Sequence, residues 1–500
     1  MKRLASVLVL CLAAAASAEA SGPNIVLLLA DDFGYGDISC FNPQRGKLST
    51  PSIDRLAEQG IRFTDCHSPS SVCSPTRYGL LTGRYAWRTR LQAGVLKPFD
   101  PPLIDRHRLT LPALLRRHGY TTACIGKWHL GWQWPRENEQ IDFDGTIADG
   151  PTTRGFDYYF GTDVPNYPPY CFIENDRTVG QPTAHKPEKD IDGPPGPELP
   201  GWRRDEILPT LLDKSVEFLR QRAADKKPFF LYVPLTSPHE PIAPSEAFRG
   251  KSGISPVGDF ILETDWAVGQ IVKAIDGHGL RDNTLVIFTA DNGHSPYTEP
   301  NKAILVNEGH VHGHYPSGPW RGLKSDIWEG GHRVPTVVRW PGKVKAGTVS
   351  DALVCLTDWM ATVAELLGAH LSDEGAEDSV SFLQVLLAGD AGRRETVIVH
   401  SVRGNFAVRR GRWKLIFCPG SGGYGSFPAD AKAREMGLPA AQLYDLTADP
   451  GETRNLHAER PEIVQELTAL LDKQIGEGRS TPGKPQPNDV AVQWRPRTGG

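Results

Sequence analysis

Apolar and polar positions alternate in blocks over the first three hundred residues. Four short runs, NIVLLLA, TTACIG, PFFLYVPL and TLVIFTA, are almost continuously apolar, and each leads into polar residues. Continuous apolar runs of this length are typical of strands buried on both faces, as in a parallel sheet. The polar residues that follow these runs are Asp31 and Asp32, Lys127 and His129, His239, and Asp291 and Asn292.

Helical patterns separate these runs. They cover about 51–59, 110–118, 207–223 and 260–277, where apolar residues recur at helical spacing. Strands that alternate with helices predict a doubly wound α/β fold, with a large, mostly parallel sheet flanked by helices. In such sheets ligands bind at the carboxyl ends of the strands. All four polar groups follow strand ends, so we expect them to converge on one site.

The pattern changes after about residue 390. TVIVH, FAVRRGRWKLIF and AQLYDL are typical of short antiparallel strands, and RPEIVQELTALLDKQIGEG is typical of one amphipathic helix. We therefore predict a large N-terminal unit over 21–390, a smaller C-terminal α+β subdomain over 391–478 and an irregular tail over 479–500.

The first twenty residues are typical of a secretory signal peptide. Lys2 and Arg3 precede the apolar stretch LASVLVLCLAAAA, and small residues near Ala18 and Ala20 offer cleavage sites. A membrane anchor is the alternative, but the apolar run is shorter than the roughly 20 residues that span a bilayer. We expect a secreted or periplasmic protein without a membrane span. The net charge of −4 gives no reason to expect a nucleic-acid partner.

Eight cysteines are present, and Cys11 belongs to the predicted signal peptide. The remaining seven are an odd number in an exported chain, so at least one is unpaired or chemically special. Their wide spacing, without a CxxC pair, argues against a zinc knuckle. One of them, Cys73, begins the sequence CSPTRYGLLTG, where Pro75 and Arg77 follow within four residues.

Two kinds of candidate ligand follow the predicted strands. The acidic pairs at 31–32 and 291–292 supply hard oxygen atoms, which suit Ca²⁺ or Mg²⁺ rather than Zn²⁺. Capping of a helix or turn is the alternative for either pair alone. The basic candidates suit an anion with several oxygens, such as phosphate or sulfate, although each alone could be a solvated surface charge. They are Arg77, Lys127, His129, His239 and Lys324.

These residues carry a family resemblance. CSPTR, followed by LLTGR, resembles the sulfatase signature C-x-P-x-R with its trailing T-G-R. NIVLLLADDFGYGD, GKWHLG, GFDYYFG, TADNG and GLKSDIWEGGHRVP resemble the other blocks of the sulfatase family, in the same order, and LYDLTADPGETRNL resembles its C-terminal block. The resemblance runs from about residue 23 to 470. It implies an alkaline-phosphatase-like α/β fold and an arylsulfatase-type hydrolase.

The resemblance also implies the chemical state of Cys73. In this family the motif cysteine is oxidised to Cα-formylglycine by a modifying enzyme, which reads an extended segment through Pro75 and Arg77. After folding, Pro75 suits the first turn of a helix running to Thr82. The N-terminus of that helix directs positive potential at the nucleophile and its anion.

The resemblance further implies the roles of the site residues. Asp31, Asp32, Asp291 and Asn292 would hold a metal together with residue 73, most often Ca²⁺, with Mg²⁺ as the alternative. A hydroxyl of hydrated formylglycine attacks sulfur, and His239, with Lys324 nearby, protonates the leaving oxygen. His129 then deprotonates the second hydroxyl, which expels sulfate from the covalent sulfo-enzyme. Charge on the sulfuryl oxygens is stabilised by Arg77, Lys127 and Lys324.

The loops are expected to select the substrate. VPNYPPYCF and NEGHVHGHYPSGPW are rich in aromatic residues and histidines, which suit a sugar ring, as in a glycosaminoglycan or an algal polysaccharide fragment. We predict that His314 contacts the substrate. The resemblance further implies a polar residue, shortly after the GFDYYFG block, that touches the sulfate; this position falls on Pro165 or Asn166, and we assign it to Asn166. A structural turn is the alternative for His314, and a metal site at His310, His312 and His314 is less favoured because no carboxylates accompany them.

Two other functions stay open. One is a phosphodiesterase or phosphonate hydrolase of the same superfamily, in which zinc ligands would replace Lys127 and Lys324. The other is a non-catalytic sulfoglycan-binding protein, which would result if Cys73 is not oxidised.

Overall fold

A computed structural model describes residues 22–187, 193–225, 227–296, 305–306, 309–310 and 313–494. The predicted signal peptide, residues 1–20, lies outside the described residues, as do parts of the histidine-rich loop that include His312. None of the described helices is both long and apolar enough to cross a lipid bilayer.

The strands form one large sheet and several small ones. The large sheet has ten strands in the order β17-β2-β16-β13-β1-β12-β4-β7-β8-β9. In chain order the strands are β1 Asn24–Ala30, β2 Ile61–Phe63, β3 Cys66–His67, β4 Thr121–Lys127, β5 Arg136–Glu137, β6 Gln140–Ile141, β7 Tyr158–Thr162, β8 Ile173–Glu174, β9 Arg177–Thr178, β10 Ala184–Lys186, β11 Gly196–Glu198, β12 Phe229–Pro234, β13 Thr284–Ala290, β14 Leu305–Val306, β15 Gly309–His310, β16 Thr336–Arg339, β17 Thr348–Ser350, β18 Val354–Cys355, β19 Thr396–His400, β20 Phe406–Arg410, β21 Trp413–Ile416 and β22 Gln442–Asp445.

Five neighbouring strands at the centre of the large sheet run parallel: β13, β1, β12, β4 and β7. Strands β16 and β8 pair antiparallel with the two sides of this block, so the sheet is mixed and mostly parallel, as the sequence predicts. Every residue of β1, β12 and β13 is buried, because helices cover both faces of the sheet and only apolar side chains fit there. The carboxyl ends of the five parallel strands therefore meet at one edge.

Five of the helices in the described part of the chain lie where the apolar spacing predicts them, at 51–58, 111–117, 207–222, 256–277 and 461–476. In chain order they are α1 Pro51–Glu58, α2 Cys73–Thr82, α3 Leu111–Arg117, α4 Ile207–Arg222, α5 Pro256–Gly277, α6 Glu329–His332, α7 Trp359–Leu367, α8 Leu383–Ala388, α9 Asp430–Glu435 and α10 Pro461–Gly476. Helix α5 begins four residues before the predicted position, because Ser255 caps it through the amide of Gly258 and Pro256 occupies its first turn.

The C-terminal part forms its own sheet, in the antiparallel order β19-β20-β21-β22, with α10 packed on it. Its apolar side chains form a second hydrophobic cluster, which includes Leu415, Leu443 and Leu471. A small α+β subdomain is therefore present, as predicted. The boundaries proposed at 390 and 478 stay predictions.

The tail is ordered by contacts with the N-terminal unit. Residues 479–494 contain no helix or strand, yet the Arg84 guanidinium donates to Asp489 at 3.0 Å and the Arg88 guanidinium donates to the Asn488 side chain at 3.0 Å. Arg84 and Arg88 directly follow α2, so the tail braces the C-terminal end of that helix. All seven cysteines in the described part of the chain carry free thiols.

Candidate active site

A cavity of about 330 Å³ opens at the carboxyl edge of the five parallel strands. Six of the twelve predicted site residues line it. The lining residues are Asp32, Val72, Cys73, Val95, His129, Val164, Asn166, Tyr167, His239, Glu240, Ser295, Pro296, Lys324, Val402 and Tyr424. The sheet geometry explains this convergence, because Asp32, His129 and His239 come from the loops after β1, β4 and β12.

Cys73 is the first residue of α2 and is 2% exposed. Its Sγ lies 3.5 Å from Oδ1 of Asp31. Burial raises the pKa of the Cys73 thiol, against the opposing effect of Lys127 and Lys324, so the unmodified residue is a neutral thiol. Residue 73 lies in the first turn of α2, where the backbone amides have no acceptor within the helix, so the helix N-terminus favours negative charge at this position.

The acidic residues form a buried cluster behind Cys73. Asp31, Asp32 and Asp291 are at most 1% exposed, and Nδ2 of Asn292 donates to Oδ1 of Asp32 at 2.8 Å. The other side-chain atom of Asn292, Oδ1, is buried without a hydrogen-bond partner in the described part of the chain. A buried carbonyl oxygen without a donor is costly, and a hard cation satisfies it. The donor set therefore fits Ca²⁺ or Mg²⁺, in agreement with the oxygen chemistry expected from the sequence.

Arg77 ties this cluster to α2. Its guanidinium donates to Oδ2 of Asp291 at 2.8 and 3.1 Å and to the carbonyl of Lys127 at 3.1 Å, and it lies 3.5 Å from Asp31. Burial and the neighbouring Asp31 nevertheless raise the pKa of Asp291 to about 7. Such a carboxyl group is short of positive charge, which a bound divalent cation would supply.

Two lysines reach into the same cluster. Nζ of Lys127 lies 2.6 Å from Oδ2 of Asp31, and Nζ of Lys324 lies 2.7 Å from Oδ2 of Asp32. Although burial opposes it, Asp32 holds the pKa of Lys324 well above its usual value, and Lys127 likewise holds the pKa of Asp31 well below its usual value. Both lysines are therefore charged beside Cys73, where they can bind an anion.

His129 has a fixed tautomer. Its Nε2 lies 3.0 Å from the carbonyl oxygen of Leu96 and must donate to it, whereas its buried Nδ1 has no partner in the described part of the chain. Burial, followed by the charge of Lys127, holds the pKa of His129 well below its usual value. A neutral imidazole with an open Nδ1 is equipped to accept a proton.

His239 carries its proton on the other ring nitrogen. Its Nδ1 donates to the carbonyl oxygen of Glu240 at 2.6 Å, so its Nε2 is directed towards Asp32, 3.9 Å away. Burial and the charges of Lys127 and Lys324 lower the pKa of His239 to about 4. The two histidines thus present different ring nitrogens to one cavity, which suits two different proton transfers.

The two predicted substrate contacts have different outcomes. Asn166 lines the cavity, and its buried Oδ1 has no partner in the described part of the chain. His314 does not line the cavity: it is fully buried, its Nε2 lies 2.9 Å from Asp37, and its Nδ1 accepts from the amide of Lys47 at 3.0 Å. The placement of His314 at the substrate was therefore wrong, because both of its ring nitrogens are already used inside the protein.

Sequence reasoning missed other lining residues. Val402 and Tyr424 come from the C-terminal subdomain, and the glycine-rich sequence GSGGYGSF around Tyr424 was the available signal. Tyr167 stands edge-on to the ring of His129, with ring centroids 5.8 Å apart. Asp163, next to the cavity, accepts from the His129 amide at 3.2 Å and from the Trp132 indole at 3.1 Å.

A sheet edge with buried carboxylates, charged lysines, two histidines and a helix N-terminus defines a hydrolase for esters of an anion with several oxygens. Comparisons with known proteins define it further. The family model "Sulfatase" matches residues 23–369, and the model of the C-terminal part of N-sulphoglucosamine sulphohydrolase matches residues 323–480.

Two relatives extend this match over most of the chain. N-acetylgalactosamine-6-O-sulfatase of Bacteroides thetaiotaomicron is 35% identical over 494 residues, which cover 90% of this chain and 92% of that protein. Human arylsulfatase A is 34% identical over 488 residues, covering 91% and 88%. A solved structure from work on glycosaminoglycan metabolism by B. thetaiotaomicron has a TM-score of 0.78 and 34% identity, covering 91% of this chain and 99% of that one. The chain belongs to the sulfatase family and is a sulfuric ester hydrolase.

Proposed function

We propose that this enzyme removes sulfate from a sulfated carbohydrate, with N-acetylgalactosamine 6-sulfate as the first candidate. The observation that carries the proposal is the meeting of Cys73, His129, His239 and Lys324 in one cavity. The relative named N-acetylgalactosamine-6-O-sulfatase supports the choice of sugar, because it matches over nearly the whole chain.

Two groups complete the site. We propose that residue 73 works as Cα-formylglycine, whose hydrate supplies one hydroxyl to bond with sulfur and a second to expel sulfate. Ca²⁺, or Mg²⁺, held by Asp31, Asp32, Asp291 and Asn292 together with residue 73, would supply positive charge to the oxygens of the reacting centre. The unsatisfied Oδ1 of Asn292 supports this assignment.

His239 protonates the leaving alcohol oxygen. Its Nδ1 is held by the carbonyl of Glu240, so only Nε2 is available to the substrate. Without substrate, burial and the two lysines keep the pKa of His239 low. An anionic sulfate ester between these groups offsets the lysine charges and raises the pKa of His239, so the proton is acquired together with the substrate.

His129 acts in the second half of the reaction. The carbonyl of Leu96 holds the proton on Nε2, so Nδ1 can take a proton from the hydroxyl that remains at residue 73. The low pKa of His129 keeps this nitrogen unprotonated at neutral pH. Lys127 and Lys324 stabilise the negative charge that develops on the sulfuryl oxygens, and Arg77 orders the carboxylates behind them.

The modification and the export of the chain lead to two further proposals. A formylglycine-generating enzyme would read Cys73, Pro75 and Arg77 before the chain folds. All three residues are buried in the folded protein, where such an enzyme would not reach them. Removal of residues 1–20 as a signal peptide would place the mature enzyme in the periplasm or outside the cell.

A phosphodiesterase or phosphonate hydrolase of the same superfamily is the alternative reaction. It would need additional metal ligands where Lys127 and Lys324 lie, and both lysines instead form ion pairs with Asp31 and Asp32. A non-catalytic sulfoglycan-binding protein would result only from chains in which residue 73 stays a cysteine.

A substrate panel tests the proposal. Wild-type enzyme, shown by mass spectrometry to carry formylglycine at residue 73, is assayed for sulfate release from sulfated mono- and disaccharides that include N-acetylgalactosamine 6-sulfate. The matching phosphate esters are assayed in parallel, and Cys73→Ala serves as the inactive control. Sulfate release from at least one sugar supports the proposal, whereas a higher kcat/KM on the phosphate esters contradicts it.

A further inference from the structure

The C-terminal subdomain contributes an exposed aromatic side chain to the wall of the active-site cavity. Tyr424 lines the cavity together with Cys73 and Lys324, yet 57% of its surface is exposed. The other contribution of this subdomain, Val402, is apolar as well. A single exposed aromatic residue is ordinary on a protein surface, so Tyr424 is informative because of its place on the wall of the reaction cavity.

The position of Tyr424 is fixed relative to the nucleophile through Ser325. The Tyr424 amide donates to Oγ of Ser325 at 3.0 Å, and the amide of Ser325 donates to the carbonyl of Ser71 at 2.8 Å, two residues before Cys73. The carbonyl of Ser325 in turn accepts from the amide of Val402 at 3.2 Å. One residue therefore joins the start of α2 to both cavity-lining residues of the C-terminal subdomain.

Glycines on both sides of Tyr424 let the backbone of its loop lie close to the backbone of Lys324 and Ser325. A Cβ atom at Gly423 would lie 2.4 Å from the carbonyl oxygen of Ser325, and one at Gly425 would lie 2.6 Å from the carbonyl oxygen of Lys324. Only glycine allows the two backbones to approach so closely. The backbone of this loop is thus packed against the turn that carries Lys324, while the ring of Tyr424 stays in the open.

We propose that Tyr424 is a substrate-binding residue that stacks against the apolar face of the sugar ring bearing the sulfate ester. The inference rests on the proposed function and deepens it. A tyrosine ring offers a rigid apolar face at a small cost in side-chain entropy, and Tyr424 lines the same cavity as His239 and Lys324, the groups proposed to act at the leaving oxygen. The sulfate group itself is bound by the lysines and does not need this ring.

The main-chain contacts make a clean test available. The hydrogen bonds that hold the loop come from backbone amides, so Tyr424→Ala removes the ring and leaves them in place. Tyr424→Phe keeps the stacking face without the hydroxyl. Met436→Ala is the matched control, because Met436 is 50% exposed on the same subdomain and does not line the cavity.

The experiment compares two probes. The first is N-acetylgalactosamine 6-sulfate, or whichever sugar of the panel wild type hydrolyses fastest, for which kcat and KM are measured. The second is inorganic sulfate, a probe without a ring, whose inhibition constant is measured as a competitive product inhibitor. We expect Tyr424→Ala to lower kcat/KM for the sugar about tenfold or more, mainly through KM. We expect the inhibition constant of sulfate to change less than twofold, and Tyr424→Phe and Met436→Ala to resemble wild type.

Three results would overturn the inference. An unchanged kcat/KM in Tyr424→Ala excludes stacking, and an equal loss in Tyr424→Phe assigns the effect to the hydroxyl. Parallel changes in the sulfate inhibition constant and in KM indicate that the loop has moved. If wild type with formylglycine at residue 73 hydrolyses no sugar of the panel, the proposed function itself fails, which is a separate outcome.

Discussion

His129 donates a hydrogen bond from Nε2 to the carbonyl oxygen of Leu96, at a distance of 3.0 Å. This bond decides which ring nitrogen carries the proton and leaves Nδ1 as the only basic atom. The loop after β4 thereby delivers a base of defined orientation to the cavity, with the His129 backbone held at a positive φ of 52°.

His129→Ala should stop the reaction halfway. Without a base, the second hydroxyl at residue 73 keeps its proton, so sulfate stays bonded to the enzyme and kcat falls about a hundredfold to ten-thousandfold. Intact-protein mass spectrometry after addition of substrate should show a sulfated enzyme. His118→Ala, at the end of α3, is the control. An unsulfated His129→Ala enzyme that has also lost all activity would refute the assignment.

His239→Ala should affect esters according to their leaving groups. Sugar alcohols leave poorly without a proton, so kcat/KM on a sugar sulfate should fall about a hundredfold or more, whereas an aryl sulfate, whose phenolate leaves unaided, should lose less than about tenfold. Steady-state kinetics on both esters provide the measurement. Equal losses on the two esters would remove His239 from the role of acid.

Cys73→Ser distinguishes the formylglycine mechanism from simple nucleophilic attack. Serine can accept the sulfuryl group but has no second hydroxyl from which His129 can remove a proton. We expect a folded protein that releases at most one alcohol per enzyme and carries sulfate at residue 73, detected by peptide mass spectrometry. Multiple turnovers by this variant would contradict the mechanism.

Removal of divalent cations should abolish most of the activity. The oxygen atoms of Asp31, Asp32, Asp291 and Asn292 fit Ca²⁺ or Mg²⁺, so EDTA should inactivate the enzyme, and either ion should restore turnover and raise the Tm. Asp291→Ala should not respond to the added ion, whereas Asp282→Ala, on the exposed surface, should behave as wild type. Stoichiometric zinc that is required for turnover would count against this metal site.

Acid should destabilise the protein partly through His400. This residue is 1% exposed at the end of β19, and burial lowers its pKa to about 4. Between pH 6.5 and 4 the unfolded chain binds a proton there that the folded protein does not, so stability falls as the pH falls, by about 2 kcal/mol at pH 5 from this residue alone.

Urea titrations at pH 7 and pH 5 measure this effect. For each protein, the unfolding free energy at pH 5 is subtracted from its own value at pH 7. This difference should be smaller for His400→Gln than for wild type. His278→Gln, which alters an exposed histidine after α5, should show the same loss as wild type. An identical loss in all three proteins would remove His400 as a cause.

The sequence predicted the parts of the site that depend on sheet geometry. Asp31, His129 and His239 follow strands that the apolar runs identify, and parallel strands bring their carboxyl ends together whatever the details of the loops. Helix ends were less accurate: α5 extends to Pro256 because a serine cap outweighs the weaker apolar pattern there.

The rest of the site depends on contacts between distant parts of the chain. Tyr424 reaches the cavity because its loop packs on Ser325, and the glycine-rich sequence around Tyr424 does not indicate which distant part of the chain the loop contacts. The loop around His314 has the composition of a binding loop, but the His314 ring holds Asp37 instead. Local spacing carries no information about such partners. Only the folded structure distinguishes a residue that lines the cavity, such as Tyr424, from one that is bonded inside the protein, such as His314.

The brace at the end of α2 has a consequence for the order of events during synthesis. Asp489, which bonds to Arg84, follows it by 405 residues, and Asn488 follows Arg88 by 400. A chain made from its N-terminus cannot form these bonds until those residues have been added. The helix that begins at residue 73 therefore receives its last support late, and any enzyme that needs Cys73 in an extended segment has that interval in which to act.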